Sequence, residues 1–230
     1  MKLFFKYLPC IFLLLLANCD NEEMPLEPET SQAYFPLSVG LYHIYDVDQI
    51  TYSLSDDPDT VVYELKSIVA DSFPNTGGGI TYVVHRFTRS SGEELWEPID
   101  TWSIRKDGDK VVVSEGNIPF MKLRWPSNVG DTWDGNAFNN LGEDEYVLDF
   151  EDGFAVNDAI FNDVAVIEQE LNEDPIVFTD IRYEMYAAEA GLIYKETKQL
   201  HYCVEQSCNN QNIIIDGIVL KQRLKSYGLE

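Results

Sequence analysis

Cysteine is the first residue type in this 230-residue chain whose spacing could carry chemistry. Cys203 and Cys208 are separated by four residues, and His201 lies close by. A thioredoxin-like redox site needs two intervening residues, and a zinc site needs more ligands than these three residues supply. Two such cysteines in an oxidising compartment form a local disulfide. We therefore predict a Cys203–Cys208 disulfide that fixes the end of a hairpin and, because its loop is short, stabilises the chain only modestly.

The residue patterns of common hydrolases are missing from the sequence. His43, His85 and His201 all lie in alternating, strand-like segments, and the chain has neither a Gly-x-Ser-x-Gly nor a His-Glu-x-x-His motif. The glycine run Gly77–Gly79 leads into a strand pattern, so it does not form the phosphate-binding start of a helix. The sequence therefore predicts no catalytic residue and a chain that is not an enzyme.

Carboxylates are abundant and unevenly placed. The segment from Trp125 to Ile181 contains 15 Asp and Glu residues and no Lys, Arg or His. We interpret it as a solvated acidic face, with calcium binding as the alternative, since hard cations prefer carboxylate oxygens. The sequence does not place a calcium site, because Asp149–Gly153 lacks the alternation and the closing glutamate of an EF-hand loop. A glycan-acting hydrolase with paired carboxylates stays open as a less favoured reading.

Aromatic residues could line a binding groove or fill a core. The chain has 4 Trp, 13 Tyr and 12 Phe residues, and the tryptophans are Trp96, Trp102, Trp125 and Trp133. A groove for a glycan or a lipid would use them, but β-proteins also use aromatic side chains as cross-strand core. We favour the core interpretation.

The amino end has three parts. Lys2 and Lys6 give a positive start, Leu8–Ala17 is an apolar stretch of about 10 residues, and the block Leu16-Ala17-Asn18-Cys19 follows. A spanning helix needs about 20 apolar residues, so the pattern indicates a secretory signal over residues 1–18. The block resembles the lipobox of bacterial lipoproteins, although Asn18 departs from the usual small residue. This resemblance implies cleavage before Cys19, lipid on the Cys19 thiol and acylation of the new amino terminus.

Residues 19–32 are acidic, carry two prolines and have no apolar period, which predicts a flexible tether. The acidic residues just after Cys19 resemble the surface-export signal of Bacteroidota lipoproteins, whereas in enterobacteria an aspartate there is associated with inner-membrane retention. We expect an outer-membrane lipid anchor with the domain at the cell surface, and a periplasm-facing domain as the alternative.

Net charge excludes one class of partner. After removal of the signal the chain has 14 basic and 40 acidic residues, a net charge of −26. Such a chain repels phosphate backbones and has few cations to displace their counterions, so we expect no nucleic-acid binding.

The dominant hydrophobic period is two, with β-branched and aromatic residues throughout. No segment has a sustained helical stripe, and Tyr183–Lys195 reads as strand, turn, strand around Gly191. Predicted turns include Asn75–Gly79, Asp107–Gly108 and Asp216–Gly217. The predicted strands are 61–69, 80–87, 101–104, 110–114, 121–125, 146–150, 164–168, 181–187, 192–202 and 218–227. Residues 33–230 are therefore expected to form a single all-β domain, a curled antiparallel sheet or half-barrel, with a β-sandwich as the alternative.

One short motif occurs twice. Phe35–Gly40 and Trp125–Gly130 both read aromatic, Pro, two variable residues, Val, Gly. Proline marks the start of a strand and glycine permits a bend, so we interpret the match as one turn used twice rather than as a duplication.

Short blocks connect the chain to a group of proteins. Tyr34-Phe35-Pro36-Leu37 and the following residues to Tyr45, together with Gly191–Glu196, resemble a group of uncharacterised Bacteroidota lipoproteins. That resemblance implies a β-rich fold in the cell envelope and assigns no catalytic residue. We predict a membrane-anchored, exported lipoprotein that acts as a non-enzymatic binding or assembly module for an unknown protein, glycan or apolar ligand. The alternative is a carrier of an apolar ligand inside a half-barrel.

Overall fold

The structure is a computed structural model that describes residues 33–230, except 55, 91–94, 126, 175 and 209–210. The predicted signal 1–18, the lipidation site Cys19 and the tether 19–32 lie outside the described residues. In the part of the chain that is described, no helix has the length and apolar composition needed to cross a bilayer.

Alternation of apolar and polar residues gives rise to fourteen strands in the described chain. Their bounds are β1 Leu41–Tyr52, β2 Asp59–Pro74, β3 Ile80–Arg89, β4 Glu97–Asp107, β5 Lys110–Glu115, β6 Ile118–Arg124, β7 Thr132–Asp134, β8 Glu145–Glu151, β9 Phe154–Val156, β10 Ala159–Phe161, β11 Val164–Asp174, β12 Phe178–Ala187, β13 Gly191–Tyr202 and β14 Ile214–Leu229.

Twelve of these strands form one antiparallel sheet in the order β6-β5-β4-β3-β2-β1-β14-β13-β12-β11-β8-β7, and β9 and β10 form a separate hairpin. The chain runs outward from the middle of the sheet to β6, begins again at the opposite edge with β7, and returns to the middle with β14. The predicted all-β fold with a curled antiparallel sheet is confirmed. The sandwich alternative is wrong for the described residues, because a sandwich would need its strands divided between two large sheets.

The two edges of the sheet approach each other, so the sheet is nearly closed into a barrel. The backbone N–H of Met121 on β6 donates to the carbonyl of Gly135, just after β7, at 2.8 Å. The indole Nε1 of Trp133 on β7 donates to the carbonyl of Met121 at 2.9 Å. These bonds cover strand edges that would otherwise present unpaired backbone groups to other chains.

All ten predicted strands are present, and the strand–turn–strand reading around Gly191 is confirmed by β12 and β13. The prediction of a tight turn at Asp216–Gly217 is wrong, because both residues lie inside β14, paired with His201 and Leu200 of β13. The glycine there lets the backbones approach closely: a Cβ on Gly217 would meet the main chain of β13.

The repeated motif forms the same turn at both places. The amide of Gly40 donates to Val69 at 2.8 Å, and the amide of Gly130 donates to Leu148 at 2.7 Å. Both glycines have positive φ angles, 89° and 82°, which a residue with a side chain rarely adopts. Each turn leads into the first strand of one half of the sheet, and this agrees with one turn used twice.

Buried apolar side chains form two clusters. The first contains the aromatic residues Tyr34, Trp125, Trp133, Tyr146 and Tyr186 together with aliphatic residues of β2 to β6 and β11. The second contains residues of β1, β2 and β11 to β14, and Phe154, Val156 and Phe161 of the small hairpin pack in it. Several residues of the first cluster also line the cavity described next.

Candidate functional site

The inner face of the curled sheet encloses a partly open cavity of about 120 Å³. Its walls are mainly apolar, because alternate residues of each strand point inward and those of β1 to β5 are mostly aliphatic or aromatic. Apolar side chains that line it include Leu41, Leu65, Val69, Val84, Ile104 and Val113.

The segment before β1 covers one side of this cavity. Phe35, Pro36 and Leu37 line it, and the amide of Glu189 donates to the carbonyl of Ala33 at 2.9 Å, which holds the segment against the β12–β13 turn. Gly191 in this contact has a φ of 75°, and a Cβ there would lie 3.3 Å from Cδ of Pro36. Glycine is therefore needed both for the backbone conformation and for the close approach.

A charged cluster lies within the cavity wall and spans the interior of the barrel. Nζ of Lys122 on β6 is 2.8 Å from a carboxylate oxygen of Glu115 on β5 and 2.9 Å from one of Glu184 on β12. Nζ of Lys195 on β13 lies 2.9 Å from the same oxygen of Glu184, and the Tyr186 hydroxyl donates to the other at 2.6 Å. Lys122 thus connects the two halves of the sheet across the interior.

The charges in this cluster hold one another in the ionised state. Burial alone would raise the pKa of Glu184, but the ammonium groups of Lys122 and Lys195 and the hydrogen bond from Tyr186 outweigh it and lower that pKa. Burial alone would also raise the pKa of Glu115, but the same two lysines lower that pKa below its usual range. Burial would lower the pKa of Lys122, yet Glu184 and Glu115 together raise it. Each of these groups is therefore charged near neutral pH.

This charge state bears on the hydrolase reading. A glycoside hydrolase needs one carboxylic acid whose pKa is raised, so that it can protonate the leaving group, and a second carboxylate close to it. Glu115 and Glu184 are close together, since both bond to Lys122, but both have lowered pKa values. The pair lacks a general acid, although Trp102 lines the same cavity.

A polar row crosses strands β1 to β4 on the inner face. His43, Ser67, Arg86 and Asp100 are directly opposite one another in the strand pairing. The Arg86 guanidinium lies 3.7 Å from the centre of the Trp102 ring, and its Nη1 donates to Asp100 at 3.0 Å. Nε1 of Trp102 donates to the same Asp100 oxygen at 2.9 Å, so the carboxylate fixes the guanidinium in place.

His43 is held in a neutral form. Its Nε2 is 2.8 Å from the carbonyl of Ala190, and its ring stacks on Tyr45 and Tyr227. Burial lowers the pKa of His43, and the bond to Ala190 only partly opposes this. His85 and His201 are exposed on β3 and β13, so all three histidines lie in strands as predicted.

The predicted disulfide is confirmed. Cys203 and Cys208 are bonded at the end of β13, and the amide of Cys203 donates to the carbonyl of Ile213 at 2.8 Å, next to β14. The disulfide therefore lies at the end of the β13–β14 hairpin. Neither cysteine lines the cavity.

The tryptophans divide between the two interpretations. Trp125 and Trp133 are buried in the first core cluster, as the core interpretation predicts. Trp102 lines the cavity, while Trp96 lies under the guanidinium of Arg89, 4.1 Å from its ring centre. Trp102 packs against the first core cluster and also lines the cavity, so it fits both the core and the binding-groove interpretation.

The acidic stretch 125–181 is distributed over β7 to β12 and the turns between them. Asp144 in this stretch pairs with Arg182 at 2.9 Å. Nowhere in the described residues do three or more His, Cys, Asp or Glu side chains converge in a way that could hold a metal ion. Within the described residues, the calcium site that the sequence left open is therefore not placed.

Comparison with known proteins gives structural similarity only. No protein-family model and no curated sequence match the chain. Among solved structures, a Bacteroides fragilis NCTC 9343 protein, described provisionally as exported with a YmcC-like fold, has 14% identity and a TM-score of 0.44 over 84% of this chain and 98% of its own. A provisionally assigned lipoprotein from Parabacteroides distasonis ATCC 8503 has 11% identity and a TM-score of 0.41 over 85% and 98%.

A third structure, described provisionally as an outer membrane lipoprotein-sorting protein domain from Vibrio parahaemolyticus, has 13% identity and a TM-score of 0.22 over 88% and 90%. All three TM-scores are below 0.5, so nothing about the site is argued from these proteins.

Proposed function

We propose that this chain is a membrane-anchored, exported lipoprotein that acts as a non-enzymatic binding module, with the cavity inside its curled sheet as the binding site. The observation that carries the proposal is the cavity itself: apolar walls on several strands, with charged and polar groups fixed at defined positions. Concave, mostly apolar sites with a few placed polar groups are the usual form of small-molecule sites.

The charged cluster supports binding rather than catalysis. Lys122, Glu115 and Glu184 satisfy one another and remain ionised, so none is poised to exchange a proton near neutral pH. A cluster in which each charge has a counter-ion is suited to holding the barrel halves in a fixed relation around a ligand.

The size of the cavity defines the kind of ligand. A protein cavity of roughly 150 Å³ accommodates benzene, and the cavity here measures about 120 Å³. If the chain is a carrier of an apolar ligand, the part of the ligand inside the cavity is therefore a compact apolar group of that size. That group is either the whole ligand or the end of a longer chain whose remainder lies outside.

Anchoring is the second part of the proposal. Lipid on Cys19 would hold the domain to the outer membrane, at the cell surface or, alternatively, facing the periplasm. The tether 19–32 would lead directly into the segment Phe35–Leu37 that covers the cavity. The ligand would then be bound close to where the domain is attached.

The experiment is ligand-observed NMR with phenylacetate and phenylacetamide, two probes whose rings match the cavity. We expect at least one to bind the purified protein and Val84→Phe, which fills the cavity, to abolish binding. Val62→Phe is the matched control, because Val62 is 60% exposed and does not line the cavity. Thermal unfolding shows whether each variant is folded, and Val84→Ile is the milder substitution if Val84→Phe is not. Absence of binding by both probes to the folded wild-type protein would refute the cavity as the site.

A further inference from the structure

Several polar groups that line the cavity have hydrogen-bonding capacity left over. Tyr45, Ser67 and Gln222 line the cavity, and none of their side chains forms a hydrogen bond to another described residue. Their polar atoms are not among the fully buried atoms that lack a partner, which in the described residues are Nε of Arg105 and Nε2 of Gln169. The three groups therefore face the open space of the cavity, where a ligand or water can complete their bonds.

The unused capacity consists mainly of hydrogen-bond donors. Arg86 carries five N–H donors, and the structure uses one of them, for Asp100. Lys195 carries three, and one is used for Glu184. Among the carboxylate oxygens that line the cavity, both of Glu184 are bonded, to Lys122, Lys195 and Tyr186. One oxygen of Glu115 is bonded to Lys122. A ligand that supplies acceptors would complement the unused donors of Arg86 and Lys195.

The charges around the cavity balance one another. The charged side chains that line it are Arg86, Lys122 and Lys195 against Glu115 and Glu184, and the carboxylate of Asp100, 3.0 Å from Arg86, compensates the third cation. Asp100 does not itself line the cavity, so the guanidinium is the member of the Arg86–Asp100 pair that an anionic group in the cavity would meet.

Arg86 is the residue best placed to receive that group. Trp102 and Asp100 fix the guanidinium of Arg86 from one side, and Ser67 lies directly opposite Arg86 on β2. The Arg86 side chain is 15% exposed. A fixed guanidinium matches the two oxygens of a carboxylate, and a neighbouring hydroxyl can add a further bond.

We propose that the cavity binds a small amphipathic carboxylate, with its apolar body against the aliphatic wall and its carboxylate on Arg86 and Ser67. This inference rests on the proposed function, because it names the ligand class of the same cavity. It also assigns Arg86 as the residue that distinguishes an anion from a neutral molecule of equal shape.

The test compares three probes of nearly the same shape: phenylacetate, phenylacetamide and 2-phenylethylamine. Loss of a charged hydrogen-bonding partner reduces affinity about tenfold or more. We expect wild-type protein to bind phenylacetate at least about tenfold more tightly than the amide, and the amine most weakly. Arg86→Gln should remove this preference, so that phenylacetate binds about as weakly as phenylacetamide.

Arg89→Gln is the matched control variant. Arg89 is on the same strand, its guanidinium also lies over a tryptophan ring, and it also pairs with a carboxylate, that of Glu64, but it does not line the cavity. It should leave both affinities within about twofold of wild type. If Arg86→Gln does not fold, two measurements still test the carboxylate proposal. Wild-type protein should bind phenylacetate more tightly than phenylacetamide, and Ser67→Ala should lose this preference.

The outcomes separate the two proposals. Equal affinity for carboxylate and amide, with both blocked by Val84→Phe, would overturn the anion inference and leave the binding module intact. Tighter binding of 2-phenylethylamine than of phenylacetate would also overturn the anion inference, because it would show that the cavity prefers a cation. Absence of binding by all three probes would overturn both proposals.

Discussion

Replacing Lys122 by methionine should destabilise this protein strongly, because it leaves the Glu115 carboxylate without its direct counter-ion and the buried Glu184 carboxylate with Lys195 alone. Lys122 is 5% exposed and Glu184 is 2% exposed. Methionine retains most of the apolar stem, so the main loss is the charge and its two ion pairs with Glu115 and Glu184. Removal of one partner of a buried ion pair costs about 3–5 kcal/mol. We expect a decrease of that size in the free energy of unfolding of Lys122→Met.

The chain offers a matched control in Lys225. Its Nζ also pairs with two carboxylates, those of Asp46 and Glu64, but its side chain is 47% exposed. Solvent screens exposed pairs, which contribute about 0–1 kcal/mol. Lys225→Met should therefore lower the free energy of unfolding by about 1 kcal/mol or less. Both variants can be measured by urea unfolding, followed by the fluorescence of the buried Trp125 and Trp133.

The pH dependence supplies a second readout. In the wild-type protein the lowered pKa values of Glu115 and Glu184 stabilise the fold above their unfolded pKa of about 4.3, and this stabilisation is lost as the pH falls through the folded values. Without Lys122, burial should raise the pKa of Glu115, so the variant loses stability as the pH rises from the unfolded pKa of about 4.3 through that raised value. The difference between the two proteins should thus be largest near pH 7 and should narrow toward pH 4.

Two results would refute this reasoning. One is a loss for Lys122→Met no larger than that for Lys225→Met. The other is a difference from wild type that stays constant between pH 7 and pH 4.5, since it would show that the carboxylates are not left as buried charges.

Three further predictions concern the cysteines and the cation. Replacement of Cys203 and Cys208 by serine should lower the free energy of unfolding by roughly 2 kcal/mol, as expected for so short a loop. Reductant should have no further effect on the urea midpoint of this variant. An unchanged free energy of unfolding on replacement would show that the disulfide is not stabilising. Cys19→Ser should remove the lipid mass from the intact protein in mass spectrometry and release it from membranes; a variant that stays membrane-bound would contradict lipid anchoring through that residue. Calcium and EDTA should leave the melting temperature unchanged, because the described residues contain no cluster of metal ligands; a rise with added calcium would restore the calcium alternative.

The strands could be predicted from sequence because the side-chain period of two is visible in each of them. In Val61–Val69 and Leu192–Tyr202, β-branched and aromatic residues recur often enough to define the element. β1 was not predicted as a strand, although the alternation Tyr45-Asp46-Val47-Asp48 was a signal for it. The strands β7, β9 and β10 have three residues each, too few for any period to be recognised.

The charged cluster could not be predicted in the same way. In a strand such as Ile118–Arg124, alternation tells which residues share a face but not whether that face looks inward or outward. Lys122 and Glu184 are 62 positions apart, and they meet only because the sheet curls until β6 faces β12. The flanking Met121 and Leu123, both buried, were the one local sign that Lys122 lies in an apolar setting. The cavity likewise depends on the curvature of the whole sheet.

The place of β14 in the sheet has a consequence for the order of folding. β14 pairs with β1 on one side and with β13 on the other, so it joins two meanders. The paired strands of each meander follow one another in the chain, except that the β9–β10 hairpin lies between β8 and β11. Each meander can form through local hairpins, but the contact of β1 with β14 joins residues as distant as Leu41 and Leu229. Such distant pairings are slow to form, since a long loop must be closed first. Until β14 docks, β1 and β13 are exposed edges in the middle of the future sheet, and shortening this strand should promote aggregation more than shortening β6.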